Sequence, residues 1–295
     1  MSQDWIQFVN TAVVPVGLML VMFSLGLTLA LRDFALVARN PRLVGAGFAT
    51  HLLILPLLGL GIGILFRLPP EMALGLFIVS LCPAGTTSNA MTFVGRGNVA
   101  LAVVLTALSS LVTVFTIPLV LAWAVPWFLA GGDANVPTLS VPKMIGQLAV
   151  ITLLPIVAGM IIRRFFPDLA ARMARWLRPT AFIIVVIVIA FSVAVSANMV
   201  LANLVGATPA IYALNLAAIG FGLLLGRAIG AGARDAMTLA IETSVQNVTL
   251  AIFLTLNVLG SLPLAVTQNI YGVVMLVNVT LLIRWWRGRI AAEAA

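Results

Sequence analysis

Glu242 stands in a polar string, Glu242-Thr243-Ser244-Val245-Gln246-Asn247, with apolar sequence on both sides. It is the one acidic side chain inside sequence that reads as membrane-embedded. A carboxylate at bilayer depth costs at least about 2.5 kcal/mol on insertion scales, so it rarely occurs without a partner or a function. The backbone and amide oxygens that follow it suit a desolvated cation. A second string, Cys82-Pro83-Ala84-Gly85-Thr86-Thr87-Ser88-Asn89, places a proline, a glycine and four hydrogen-bonding side chains in the middle of another apolar stretch. Proline removes a backbone donor and disfavours helix at the residue before it, and glycine permits non-helical angles. Both strings are therefore expected to interrupt a helix. Unwound backbone at this depth is tolerated only when buried in protein or lining a cavity. Its freed carbonyls can hold a cation, while half-helix N-termini aim donors and positive dipole ends at an anion. Two kinked helices whose hydroxyls bond back to their own backbone are the plainer alternative. Two polar breaks together with a carboxylate favour an ion and substrate site in a secondary transporter.

The elements that must position these residues are apolar. Of 295 residues, 62% are hydrophobic and 8% charged, with mean hydropathy +1.19. Soluble domains carry about 25% charged residues, which excludes a soluble fold of this size. The formal charge of +8 comes in short basic clusters between apolar runs, without a basic stripe or stacking aromatics, so a bilayer is the expected partner and nucleic acid is not. A crossing needs about 20 apolar residues. Nine stretches qualify: 11–31, 42–66, 71–94, 98–127, 141–162, 179–200, 208–230, 236–257 and 263–283. The expected fold is an all-α polytopic membrane protein of nine transmembrane helices. The first stretch does not read as a signal peptide, because no basic n-region precedes it and a basic loop follows it.

Basic residues set the expected orientation. With the N-terminus outside, 14 of the 16 lysines and arginines fall on the inner side, leaving only Arg67 and Lys143 outside. That bias supports both an odd number of crossings and a cytoplasmic C-terminus. All six tryptophans fall near expected span ends, as interfacial anchors do. The longest loops are expected around Gly131–Ser140 and Arg163–Arg178. Cys82 is the sole cysteine, which rules out an intrachain disulfide and reads as a small buried hydrophobe. The two breaks lie in the third and eighth stretches, which run in opposite directions. Discontinuous helices at corresponding places of oppositely oriented halves mark an inverted repeat.

Met22-Phe23-Ser24-Leu25-Gly26-Leu27, Cys82 to Asn89, Arg96-Gly97-Asn98 and Glu242 to Asn247 together resemble the bile acid:sodium symporter family, over nearly the whole chain. The resemblance implies two crossing discontinuous helices inside a core domain (spans within 42–127 and 208–283). A panel domain (11–31, 141–162 and 179–200) would rock against that core. It implies that the first of the ten spans common in bacterial members has no counterpart here, as in nine-span animal members. It also implies a bacterial inner membrane, Na+ as coupling ion, a small organic anion (carboxylate or sterol-like) as substrate, and no obligatory protein partner. By position, one sodium site would comprise Ser88, Asn89, Thr106 and Glu242. The second would use Glu242, Gln246 and the carbonyls of Thr243 and Val245, with His51 where an amide is usual. Substrate would lie near Thr86, Thr87 and Asn247. Three residues depart from the pattern: Ala102 removes a serine oxygen from the first site, His51 replaces a glutamine at the second, and Ser244 replaces a glycine.

Imidazole is a poor sodium ligand and can itself carry a proton. The expectation is one or two sodium ions, or partial replacement by H+, with the first site retaining sodium weakly and the second empty or coupled to His51. The other reading of His51, the only histidine, is a neutral imidazole hydrogen-bonded within the bundle. Asn198, Asn215, Asn269 and Asn278 are equally explained by interhelical hydrogen bonds. A proton-coupled or uncoupled carrier is the alternative within transport. A channel would instead show a pore-lining polar stripe. An enzyme would need a nucleophile, acid pair or metal-ligand pair that no span supplies.

Overall fold

The computed structural model describes residues 7–130 and 139–293. Regular structure among the described residues is helical. Seven helices are long and apolar enough to cross a membrane: α1 (Val9–Gly26), α2 (Pro41–Leu65), α5 (Val99–Leu129), α6 (Val141–Phe165), α7 (Pro167–Val195), α8 (Ala197–Ala228) and α11 (Ala265–Arg287). Two pairs of shorter helices complete the bundle. The first pair is α3 (Pro70–Leu81) and α4 (Thr86–Val94). The second is α9 (Ala233–Ser244) and α10 (Val248–Val258).

The apolar surface falls where lipid would be. On α5, Leu111, Phe115, Leu119, Trp123 and Trp127 are spaced by four and all exposed, one continuous stripe down a single helix face. In water so large a patch would drive aggregation; against acyl chains it carries no penalty. With no hydrophobic drive between helices in lipid, small residues let backbones approach. Gly222 and Gly226, one turn apart on α8, do this against α9. A Cβ at Gly222 would lie 2.6 Å from the Cα of Ala240, and one at Gly226 would lie 2.7 Å from the Cα of Ala236. Elsewhere α1 packs on α6 and α7. The broken pairs are enclosed by α1, α2, α5, α7, α8 and α11.

Several expected boundaries differ. Residues 163–178, expected as a loop, are helical: α6 runs to Phe165, only Phe166 intervenes, and α7 begins at Pro167. Pro167 is at the first helical position, where its missing N–H goes unused. The expected span 179–200 is cut at Ser196, where α7 ends and α8 begins. Of the other expected loop, residues 131–138 lie outside the described residues. The interruptions are shorter than the polar strings. Only 82–85 and 245–247 leave the helix, while Thr86 to Asn89 form the first turn of α4 and Glu242 to Ser244 the last turn of α9. Side chains competent for chemistry thus sit on regular turns flanking the breaks.

Candidate functional site

The breaks meet and satisfy each other. Gly85 N–H donates to the Val245 carbonyl at 2.9 Å, and Asn247 N–H donates to the Pro83 carbonyl at 2.9 Å. Ala84 and Gln246 thereby form an isolated antiparallel bridge. Helix ends leave orphan donors and acceptors, which in a dry interior would be costly; here each break supplies the partners of the other. Asn247 also caps α10, its Oδ1 accepting from Leu250 N–H at 3.0 Å. The N-termini of α4 and α10 consequently lie beside the C-termini of α3 and α9, so positive and negative dipole ends share one buried level.

Glu242 is fully buried at this junction, at 0% exposure. Its Oε1 accepts from the Ser88 hydroxyl on α4, and its Oε2 accepts from the Thr106 hydroxyl on α5 at 2.9 Å. The structure therefore joins three of the expected residues from three helices around one carboxylate. Asn89 lies on α4 with a buried Oδ1 that has no hydrogen-bond partner. Ala102, one turn before Thr106 on α5, is fully buried and offers no polar atom. Among the described residues no cationic side chain pairs with Glu242; the ion pair observed, Arg163 with Asp33 at 3.9 Å, involves neither break. A buried carboxylate served only by hydroxyls is not charge-compensated by the protein.

The residues of the second expected group are less available. The Thr243 carbonyl accepts from Gln246 Nε2 at 2.7 Å, and the Val245 carbonyl already accepts from Gly85. Gln246 keeps a buried, unpartnered Oε1. His51 is on α2 at 1% exposure, and neither ring nitrogen has a hydrogen-bond partner. The expected hydrogen-bonded imidazole is therefore not what the structure shows. Around the breaks, Thr87 is buried and Thr86 half-buried, and Asn247 Nδ2 is buried without an acceptor. Thr86 and Thr87 stand at the N-terminus of α4, and Asn247 at that of α10.

Residues outside the expected ion and substrate groups hold this centre. The Ser244 carbonyl accepts from Asn215 Nδ2 and from the Tyr271 hydroxyl, each at 2.9 Å. Asn278 Nδ2 donates to Asn215 Oδ1 at 3.0 Å. Thr243 anchors α9 to α8 through its hydroxyl, 2.9 Å from the Ala218 carbonyl. Asn269 Nδ2 donates to Ser196 Oγ at 3.1 Å, so three of the four span asparagines make interhelical bonds; Asn198 is exposed. At the basic end, Arg96 adopts φ +56 and turns the chain so that Asn98 caps α5. Asn98 Nδ2 donates to Asp235 Oδ1 at 2.7 Å, and Arg234 Nε donates to the Arg96 carbonyl at 3.1 Å. The two broken pairs are thus tied at the crossover and again at their basic ends. Tyr271 and Asp235 were not singled out in sequence.

A family profile described as the Sodium Bile acid symporter family matches residues 15–203, well over half the chain. The chain belongs to the sodium bile acid symporter family. Among curated members, the chain is 29% identical over 262 residues to the Arabidopsis thaliana protein named "Probable sodium/metabolite cotransporter BASS1, chloroplastic", covering 88% of this chain and 63% of that one. It is 31% identical over 240 residues to the "Uncharacterized sodium-dependent transporter YocS" of Bacillus subtilis strain 168, covering 79% and 70%. To the human "Ileal sodium/bile acid cotransporter" it is 27% identical over 240 residues, covering 81% and 67%. The chain spans just under two thirds of the length of the chloroplastic BASS1 and BASS2 relatives it matches. These symporter-family relatives carry transporter names, not enzyme names.

Proposed function

We propose that this chain is a secondary active transporter that couples the entry of a small organic anion to sodium, by alternating access. The observation that carries this reading is Glu242: a fully buried carboxylate at the junction of two helix breaks, with hydroxyl partners and no protein cation. Such a group asks for a mobile cation, and a cation that comes and goes can be coupled to transport. Ser88, Thr106 and the unpartnered Asn89 oxygen supply hard oxygen donors around it, which suit sodium better than a transition metal. The α4 and α10 N-termini, with Thr86, Thr87 and Asn247, would receive the anion, so that cation and substrate neutralise one another at one level.

The wider arrangement follows from the same reading. Each broken pair counts as one crossing, giving nine with the seven long helices, N-terminus outside and C-terminus in the cytoplasm. The third and eighth crossings are equivalent members of an inverted repeat. The core that carries them (α2 to α5 and α8 to α11) moves against a panel of α1, α6 and α7.

One sodium ion per cycle is the reading the geometry supports better. The Thr243 and Val245 carbonyls are each already engaged, and His51 contributes nitrogen where a second site needs oxygen. Flux of a carboxylate or sterol-like anion into reconstituted vesicles should saturate and deliver the anion unaltered. A linear, non-saturating flux would indicate a channel instead, and a chemically altered product an enzyme.

A further inference from the structure

One cavity lies away from the breaks, where the basic ends of α1, α6 and α7 converge. It is open on one side and has a volume of about 1120 Å³. Four arginines line it, Arg32, Arg163, Arg164 and Arg175. Among the described residues, Arg163 alone of the four has a carboxylate partner, Asp33. Its inner wall is apolar, made by Leu27, Val157, Met160 and Ala174. Beside it Phe165, Phe166, Leu169 and Trp176 are exposed, at the ends of helices that otherwise run through lipid. Aromatic side chains in that position sit at headgroup level.

An excess of fixed positive charge at headgroup depth, continuous with an apolar recess, has the chemistry of an anionic amphiphile's partner. A soluble anion would use the arginines but leave the recess empty, and a neutral lipid would use the recess but leave the arginines uncompensated. We propose that this cavity binds one acidic phospholipid of the surrounding leaflet. Its phosphate lies among Arg32, Arg164 and Arg175, and an acyl chain lies along the apolar wall. The reading needs only that this end of the bundle meets a membrane surface; it is independent of sodium coupling. Under the orientation proposed above, the leaflet is the cytoplasmic one, where basic pockets between helices characteristically hold acidic headgroups.

The purified full chain is delipidated in mild detergent and offered equal amounts of phosphatidylglycerol and phosphatidylcholine, and the retained lipid is read by native mass spectrometry. Preferential retention of one phosphatidylglycerol is expected. Arg164→Gln together with Arg175→Gln should weaken that preference about thirty-fold, at about 1 kcal/mol for each arginine near the headgroups. Ala171→Trp, which fills the mouth of the cavity without touching charge, should abolish retention by itself. Arg67→Gln with Lys143→Gln, at the opposite end, should leave it unchanged. Equal retention of the two lipids, or an unaltered preference in the arginine double variant or in Ala171→Trp, would overturn the proposal. So would displacement of the lipid by inorganic phosphate at equal concentration, which would make this a free-anion site.

Discussion

Replacing Glu242 by Gln keeps the length of the side chain and its reach to Ser88 and Thr106, but removes its charge. The amide oxygen can still accept from one hydroxyl, and the other hydroxyl can accept from the amide N–H, so neither partner is left bare. The variant is therefore expected to fold, and in sodium-free buffer to melt no lower than the native protein, because it no longer buries an uncompensated carboxylate. Sodium binding should collapse. Two unit charges about 4 Å apart interact by about 4 kcal/mol at an effective dielectric constant of about 20. At about 1.4 kcal/mol per decade, the loss of affinity is about a thousand-fold. Binding to the folded state alone stabilises a protein by about 2.7 kcal/mol at a hundred times Kd. Thermal unfolding of the purified chain in sodium chloride, against equal potassium chloride, reads this directly. The native protein should gain melting temperature with sodium and Glu242→Gln should gain none. A sodium-specific shift of equal size in both would refute the assignment of Glu242 as the cation's charge partner.

Gly222→Leu should destabilise the protein by at least about 1–3 kcal/mol through overpacking against Ala240, seen as a lowered melting temperature in sodium and potassium alike. Tyr271→Phe should cost about 1 kcal/mol for the hydrogen bond it withdraws from the Ser244 carbonyl. It should lower sodium affinity modestly and leave Glu242 in place; an unchanged melting curve and affinity would show that this network does not support the site. His51→Gln puts an amide oxygen where the second sodium group is expected to have one. The sodium dependence of uptake should steepen from a Hill coefficient near one toward two, whereas a native coefficient near two would contradict a single-ion cycle.

What could be read in sequence was local. Pro83 and Gly85 interrupt α3 and α4 by their own backbone chemistry, and Glu242 announces itself because an acid among apolar residues has few explanations. The extent of each break was not legible. Whether Thr86 to Asn89 unwind or start a helix depends on the hydrogen bonds from Gly85 and Asn247 to the facing break, and these are tertiary. Thr106 shares α5 with Ser109, Ser110 and Thr113, and nothing local distinguishes it; the family pattern pointed to it, and the structure places its hydroxyl on Glu242. The helical start of α7 was hidden because its arginines and Asp168 read as a loop, although their spacing puts Ala170 and Ala174 on one buried face. The Asn215–Tyr271–Asn278 network brings together residues on two helices far apart in the chain, a pairing that no single-sequence periodicity encodes.

The central claim is that a sodium gradient is the driving force and that the junction of the two breaks transmits it. Native protein reconstituted into vesicles, given a panel of radiolabelled carboxylates and sterol-like anions, should accumulate at least one of them above the external concentration under an inward sodium gradient. Accumulation should vanish when potassium replaces sodium or when a sodium ionophore dissipates the gradient. Uphill accumulation that persists unchanged in potassium, or that follows an imposed proton gradient alone, would contradict the account.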